Sequence, residues 1–113
     1  MIEYKRGDVA LVSFVFSNET GVKQRPAVVV SSEAYHQGRE EAIIAAITSK
    51  TDRILVSDHL IDGWQEAGVL SPSVATGIVR TIKQVMIARK LGVIPVKDMQ
   101  AVDSNLCPAL ALG

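Results

Sequence analysis

Apolar runs separated by polar turns divide the chain into short segments. The first run, residues 8–16, follows Gly7 and is apolar at both odd and even positions. This pattern predicts a strand that is buried on both faces or curled tightly into a small barrel. The polar residues 17–21 should end the run, because Asn and Gly tolerate positive φ and hydroxyl groups bond nearby backbone.

The later runs are also rich in β-branched residues and predict further strands. The second strand is expected at residues 25–31, with Pro26 at its opening because proline gives no N–H to a ladder. The polar residues 32–41 are expected to form a loop, and residues 61–68 a helical turn that ends in glycine. The remaining expected strands are residues 42–49, 53–56, 71–82 and 85–94.

The end of the chain has a different period. Its apolar positions recur every three or four residues: Val96, Met99, Val102, Leu106 and Leu110. This spacing predicts an amphipathic helix, which Pro108 should kink or end early because it lacks an N–H and crowds the preceding turn. The whole pattern predicts a mainly β fold with a C-terminal helix, a small β-barrel in one domain of residues 1–113.

Composition agrees with a packed β domain. The chain is 48% hydrophobic and 21% charged, which excludes disorder for most of it, and the apolar residues are mostly aliphatic, with 15 Val and 10 Ile against two Phe, two Tyr and one Trp. The single cysteine, Cys107, excludes an internal disulfide, and with His36 and His59 at unrelated spacings it makes no metal site. We expect a cytoplasmic protein without cofactor, metal or membrane segment.

The charges balance in number but not in position. Twelve Lys and Arg residues offset twelve Asp and Glu residues, so no overall field draws the protein to a polyanion. Residues 67–97, however, contain five basic residues and no acidic one, and Lys23 and Arg25 follow a turn whose only acid is Glu19. These stretches predict either a local cationic groove or an ordinary solvated face.

Two side chains have chemistry that suits a phosphate substrate. Arg25 stands beside Pro26, where rigid backbone would hold its planar fork of donors, and Thr48 offers a hydroxyl at a strand exit. His36 and His59 titrate in the right range for proton transfer, but neither has a nucleophile at a telling spacing. We expect both histidines to be solvated loop residues, with a catalytic role as the alternative.

The order of several short motifs resembles the MazF/PemK family of toxin endoribonucleases, in its PemK-like branch. The resemblance covers nearly the whole chain, and the ordered set is specific although each piece is not. The pieces are Lys5-Arg6-Gly7-Asp8-Val9, Phe16-Ser17-Asn18, Arg25-Pro26-Ala27-Val28-Val29-Val30-Ser31, Ala45-Ala46-Ile47-Thr48-Ser49, Asp58-His59-Leu60-Ile61, Trp64, Ala67-Gly68, Pro72-Ser73-Val74 and Arg80-Thr81-Ile82.

The resemblance implies a fold, an activity and partners. The fold is an SH3-like barrel in a homodimer, and the activity is sequence-selective, metal-independent cleavage of single-stranded RNA. In the family the ribose 2′-hydroxyl attacks the adjacent phosphate, leaving a cyclic phosphate and a 5′-hydroxyl. A cognate antitoxin occupies the RNA groove when the toxin is silenced, and the cationic groove leads us to expect an acidic antitoxin segment.

The family's catalytic arginine and threonine match Arg25 and Thr48. The same resemblance makes residues 17–24 a flap over the RNA, with Lys23 as a phosphate contact, Ser49 as an assisting hydroxyl and Arg80 as a further RNA-binding cation.

One departure keeps a second reading open. Some family members carry a basic and an acidic residue just upstream of the segment that matches Arg80-Thr81-Ile82, whereas residues 74–79 here are uncharged. The alternative is therefore a barrel that binds RNA or a partner peptide without cleaving, and a third reading is a purely structural dimer module.

Overall fold

The computed structural model describes residues 4–14 and 23–112. Its strands pair antiparallel in one six-stranded sheet of order β4-β5-β3-β2-β1-β6. The strands are β1 (Asp8–Phe14), β2 (Lys23–Val29), β3 (Glu41–Thr48), β4 (His59–Leu60), β5 (Val74–Lys83) and β6 (Ile87–Val93). The helices are α1 (Glu33–Gly38) and α2 (Val96–Ala109), with a 3₁₀ turn at Gln84–Met86.

The expected mainly β fold with a C-terminal helix is confirmed. The sheet is not closed, so it is a barrel only approximately. Pairing runs from β4 at one edge to β6 at the other, and across the described ranges these two edge strands do not pair with each other. The ladders of β1 with β6 and of β3 with β5 each contain register shifts. Such bulges bend strands and increase twist, which curls a sheet without closing it.

Strand β1 is buried on both faces, as its doubly apolar pattern predicted. Val9 belongs to a core between the sheet and α2, which we call the helix face, together with Val28, Ile47 and Val102. Ala10 and its neighbours belong to a second core on the other side of the sheet, which we call the opposite face. The buried residues of that second core are Tyr4, Ala10, Val12, Ala27, Val29, Ile44, Ile82 and Ile87.

The prediction of a strand at residues 53–56 was wrong, and so was the position predicted for Pro26. Residues 53–56 form coil and the start of a turn, because Asp58 accepts the Leu55 N–H through Oδ2 at 3.0 Å and returns its own N–H to the Leu55 carbonyl at 3.1 Å. Strand β2 begins at Lys23, so Pro26 lies inside it rather than at its opening. The ladder with β3 starts only at Ala27, after the residue that has no N–H to give.

The predicted loop at 32–41 contains the short helix α1. Ser32 is its N-cap, and its hydroxyl accepts the Tyr35 N–H at 3.2 Å, a cap that Ser followed by Glu33 signals in sequence. Residues 62–68 form the expected turn, closed by the Ala67 N–H to the Gly63 carbonyl at 3.0 Å. Gly68 ends it at φ +85°, and a Cβ there would lie 2.2 Å from the Leu91 carbonyl oxygen.

The helical stripe is only partly buried. Met99, Val102 and Leu106 pack in the helix-face core, but Val96 and Leu110 are exposed. Pro108 lies in the last turn, and α2 ends one residue later at Ala109. The termination predicted for proline therefore comes after it rather than before it.

A buried carboxylate joins α2 to the sheet. Asp98, 2% exposed in the first helical turn, accepts the backbone N–H groups of Asp62 at 2.9 Å and Gly63 at 3.0 Å, and its Oδ1 lies 2.7 Å from His59 Nε2. Burial acts to raise the pKa of Asp98, but the bonds from His59 and the two amides outweigh it, so the pKa is lowered. The carboxylate is therefore held ionised where it ties β4 to α2.

We predict that Asp98→Ala lowers the free energy of unfolding by about 2–4 kcal/mol at pH 7, because it leaves two amides and His59 without their acceptor. Urea unfolding measures the loss. The control is Asp103→Ala, whose exposed carboxylate pairs with Arg6 and should cost less than about 1 kcal/mol. Equal losses in the two variants would contradict the assignment.

The lowered pKa of Asp98 predicts how the stability of the fold depends on pH. A carboxyl with a lowered folded-state pKa contributes stability that is fully present above its unfolded pKa and is lost as the pH falls through its folded pKa. The stability difference between wild type and Asp98→Ala should therefore narrow as the pH is taken below about 4, near the ordinary pKa of aspartate. A difference that widens on acidification would overturn this account.

Candidate functional site

The β2–β3 register sets Arg25 opposite Thr48. The ladder pairs Ala27 with Ala46 and Val28 with Ala45, and two residues further along, this antiparallel register aligns Arg25 of β2 with the last residue of β3. Residues directly opposite in such a pair have Cα atoms about 5 Å apart and side chains on one face. Continued past its last ladder pair, the register therefore places the two leading sequence candidates near the ends of neighbouring strands and on the same face of the sheet.

Both residues share the opposite face with the second core. Arg25 pairs across β1 with Val12, a fully buried member of that core, and Thr48 pairs across β5 with Val74, which is also fully buried. Arg25 itself is exposed and Thr48 half-buried. Each of the two polar residues therefore has a buried valine as its lateral partner on the next strand.

The turn after β3 orients the Thr48 side chain. Its Oγ1 accepts the Lys50 backbone N–H at 3.2 Å, a local bond typical of threonine at strand ends. A hydroxyl that accepts through one lone pair keeps its own proton for donation. Thr48 can consequently donate a hydrogen bond to an oxygen placed over the face it shares with Arg25.

The other sequence candidates lie at different distances from this pair. Lys23 is two residues from Arg25 on β2, and Ser49 directly follows β3; both are exposed. Arg80 pairs with Ile44, so it lies on the same face but two strands and four residues away from Arg25, a backbone separation of about 16 Å. Residues 17–22 of the expected flap lie outside the described residues.

The stretch without acidic residues in sequence has acidic neighbours in space. Lys83 pairs with Glu41 at 3.0 Å and Glu40 at 3.5 Å, and Lys90 pairs with Asp8 at 3.3 Å. The pairing of β3 with β5 and of β1 with β6 places these carboxylates beside the lysines. The basic residues of 67–97 therefore do not form one uncompensated groove, and the Arg25 and Thr48 pair is the better centre for a site.

Both histidines are structural. His36 in α1 bonds Ser31 Oγ through Nε2 and the Tyr4 carbonyl through Nδ1 at 3.0 Å, so it fixes the chain before β1 against the end of β2. His59 is held by Asp98 at 2.7 Å. The expectation of solvated loop histidines was wrong for both, because local sequence does not show the carboxylate or carbonyl that long-range packing supplies.

The segment between β3 and β4 packs against β5. Asp58 Oδ1 accepts the Gly77 N–H at 3.0 Å, and a Cβ on Gly77 would lie 2.9 Å from the Ser57 Cβ, so this segment lies directly against β5. It leaves Leu55 and Val56 exposed. Lys50, whose backbone N–H bonds the Thr48 hydroxyl, was not among the sequence candidates, because a lysine after a strand has no distinguishing local pattern.

Two features are absent from the part of the chain that the structure describes. In residues 4–14 and 23–112, no three His, Cys, Asp or Glu side chains are grouped so that they could hold a metal ion. Nor does any helix in that part of the chain have the length and apolarity needed to cross a membrane.

Solved structures share this fold. An endoribonuclease in complex with its cognate antitoxin from a mycobacterial species matches with a TM-score of 0.77 at 19% identity, covering 98% of both chains. A chain of MazE-MazF (Form-II) from Deinococcus radiodurans gives 0.79 at 17% identity, with 97% of each chain covered. The Mycobacterium tuberculosis toxin MazF-mt6 gives 0.76 at 20% identity, covering 94% of this chain and 98% of its own.

Sequence comparison gives the family directly. None of the curated proteins matches the chain, but a family model described as PemK-like, MazF-like toxin of type II toxin-antitoxin system matches residues 5–110. Because that match spans almost the whole chain, the protein belongs to the PemK-like, MazF-like toxins of type II toxin-antitoxin systems.

Proposed function

We propose that this toxin is a sequence-selective endoribonuclease that cleaves single-stranded RNA in the cytoplasm without a metal ion. Residues 1–113 form its one domain. The observation that supports the proposal is the β2–β3 register, which, continued past the pair Ala27 and Ala46, aligns Arg25 with Thr48 on one face of the sheet. Solved structures of the same fold include proteins named endoribonucleases, which supports this activity class.

Arg25 would act on the phosphate in the transition state. As the ribose 2′-oxygen attacks the adjacent phosphorus, negative charge builds on the non-bridging oxygens of the phosphorane. A guanidinium already fixed beside Pro26 meets this charge with two parallel donors and needs little reorganisation. Its stabilisation is therefore greater in the transition state than in the ground state, which is the condition for catalysis.

Thr48 would position the reacting group. Its hydroxyl is far too weak an acid to protonate the leaving oxygen unaided, but it can donate to a non-bridging oxygen or bond the 2′-hydroxyl. The 2′-hydroxyl loses a proton and the departing 5′-oxygen gains one. Residues 74–79 of β5 carry no charged side chain for this exchange, so we assign both transfers to solvent.

The proposed partners are a second copy of the chain and an antitoxin. The fold is shared with a toxin solved in complex with its cognate antitoxin and with MazE-MazF. An acidic antitoxin segment would be attracted by Lys23 and Arg25 and would exclude RNA from the same face. The homodimer would place two such faces beside each other.

A non-catalytic relative is the second candidate. It is favoured by the uncharged β5 segment, because a member without a charged pair for proton transfer can keep RNA or peptide binding and lose turnover. Binding of RNA without product would establish this reading.

We predict that Arg25→Ala lowers kcat/KM for RNA cleavage by about 10²–10³-fold, because one preformed donor to the developing charge is removed. Thr48→Ala should lower it similarly, and Thr48→Ser should recover most activity because it keeps the hydroxyl. The measurement is cleavage of labelled single-stranded RNA in chelator, with product ends read for a cyclic phosphate. Lys97→Ala, an exposed change on α2, is the control.

Cleavage that disappears in chelator, or that is the same in wild type and Arg25→Ala, would reject the proposed mechanism. RNA binding without cleavage by wild type would favour the non-catalytic reading instead.

We also predict a dimer at micromolar concentration, because several large apolar side chains are exposed on the single chain and would gain from burial. They include Val56, Leu70, Val85 and Val96. Sedimentation velocity distinguishes the two masses, and a monomer throughout would contradict a groove shared by two copies.

A further inference from the structure

We propose that Ile78 is a substrate-positioning residue that contacts a nucleobase of the RNA next to the scissile phosphate. This inference rests on the proposed RNA-cleaving function and adds a residue to it. Ile78 is 58% exposed on β5, although isoleucine is among the residue types that proteins bury most often. Its exposure is built into the strand by a bulge.

The bulge lies opposite Ala46 of β3. The ladder pairs on its two sides are Ala45 with Val79 and Ile47 with Ala75. Between these pairs one residue of β3 faces three residues of β5, 76–78. Bulges bend a strand and re-aim a side chain, and they are frequent beside functional sites. Because ladder pairs stand on both sides of the bulge, the register fixes Ile78 beside Ala46.

Side chains satisfy the backbone of the bulge. The buried Thr76 hydroxyl donates to the Ala46 carbonyl at 2.7 Å and accepts the Ile78 N–H at 3.2 Å, so it takes the place of a ladder bond. Asp58 Oδ1 accepts the Gly77 N–H at 3.0 Å. These bonds satisfy groups that the ladder leaves unpaired at the bulge. The bulge is therefore held in one conformation, and Ile78 is presented from fixed backbone.

Ile78 lies on the same face of the sheet as Thr48. The next residue, Val79, packs against the helix-face core, so Ile78 points to the opposite face. Arg80, two residues further along β5, agrees with this orientation because it pairs with Ile44 of the opposite-face core. The exposed isoleucine therefore stands between Thr48 and Arg80 on the face that carries the proposed site.

An apolar side chain in this place suits a base rather than a phosphate. Ala46, beside Ile78, is about 7 Å along β3 from Thr48, and neighbouring strands are about 5 Å apart, so the Cα atoms of Ile78 and Thr48 are about 8 Å apart. Proteins that bind single-stranded RNA pack its unstacked bases against side chains beside the backbone contacts. Isoleucine has neither donor nor acceptor, so it would hold a base by van der Waals contact and exclude water without reading a hydrogen-bonding edge.

The first test compares Ile78→Ala with wild type on a labelled oligoribonucleotide that contains a mapped cut site. We expect KM to rise by about 3–10-fold with kcat within about 2-fold, because an apolar contact of this kind is equally present in the ground and transition states. Ile78→Leu should recover KM. The control is Leu110→Ala, which truncates a side chain of similar exposure, 56%, at the end of α2 and should match wild type. A fall in kcat with unchanged KM, or no change in either constant, would overturn the proposal.

A binding measurement separates this inference from the proposed cleavage. In the Arg25→Ala background, fluorescence anisotropy reports affinity for an oligoribonucleotide without turnover, and its bases are removed one at a time by abasic substitution. Adding Ile78→Ala should weaken binding of the intact RNA by about 3–10-fold and have no effect once the base that Ile78 contacts is missing. Equal losses on intact RNA and on every abasic RNA would remove Ile78 from the site even if the protein cleaves. A base-dependent loss in a protein that never cleaves would retain Ile78 as a base contact and reject the nuclease.

Discussion

The antiparallel register between β2 and β3 is the constraint on which the site depends. Three ladder pairs, Ala27 with Ala46, Val28 with Ala45 and Val29 with Ile44, fix it, and all but the half-buried Ala46 are fully buried. Because side chains alternate, a slip by one residue would turn Thr48 away from Arg25 and carry apolar side chains out of both cores. Packing of small and β-branched residues therefore determines where the guanidinium and the hydroxyl meet.

Much of the fold could be predicted from the sequence because its signals are local. The spacing of apolar residues alone predicts the burial of β1 on both faces and of the helical stripe Met99, Val102 and Leu106. The prediction failed where a distant partner decides the conformation. Residues 53–56 read as a strand but are bent by Asp58, and His59 read as a solvated residue but is bound by Asp98.

The site shows the same division. Arg25 and Thr48 were singled out from their local chemistry together with the family resemblance, and the β2–β3 register, continued past its last pair, aligns them on one face. The bond from the Lys50 backbone N–H to the Thr48 hydroxyl was not foreseen, because the sequence does not show how the turn after β3 folds back. Two of the five basic residues of 67–97 have acidic partners that the sequence pattern did not show, since Glu40, Glu41 and Asp8 come from other parts of the chain.

The short link between β6 and α2 affects how the edges of the sheet are protected from pairing with another chain. Strand β6 ends at Val93, and five residues later Asp98 bonds His59 of β4, the strand at the other edge of the sheet. One carboxylate thus connects two edges of the sheet that, within the described residues, share no ladder. Unpaired edges are templates for aggregation. Because β4 has only two residues and is held by this carboxylate, it offers an incoming strand little to extend, which makes this edge a poor template for aggregation.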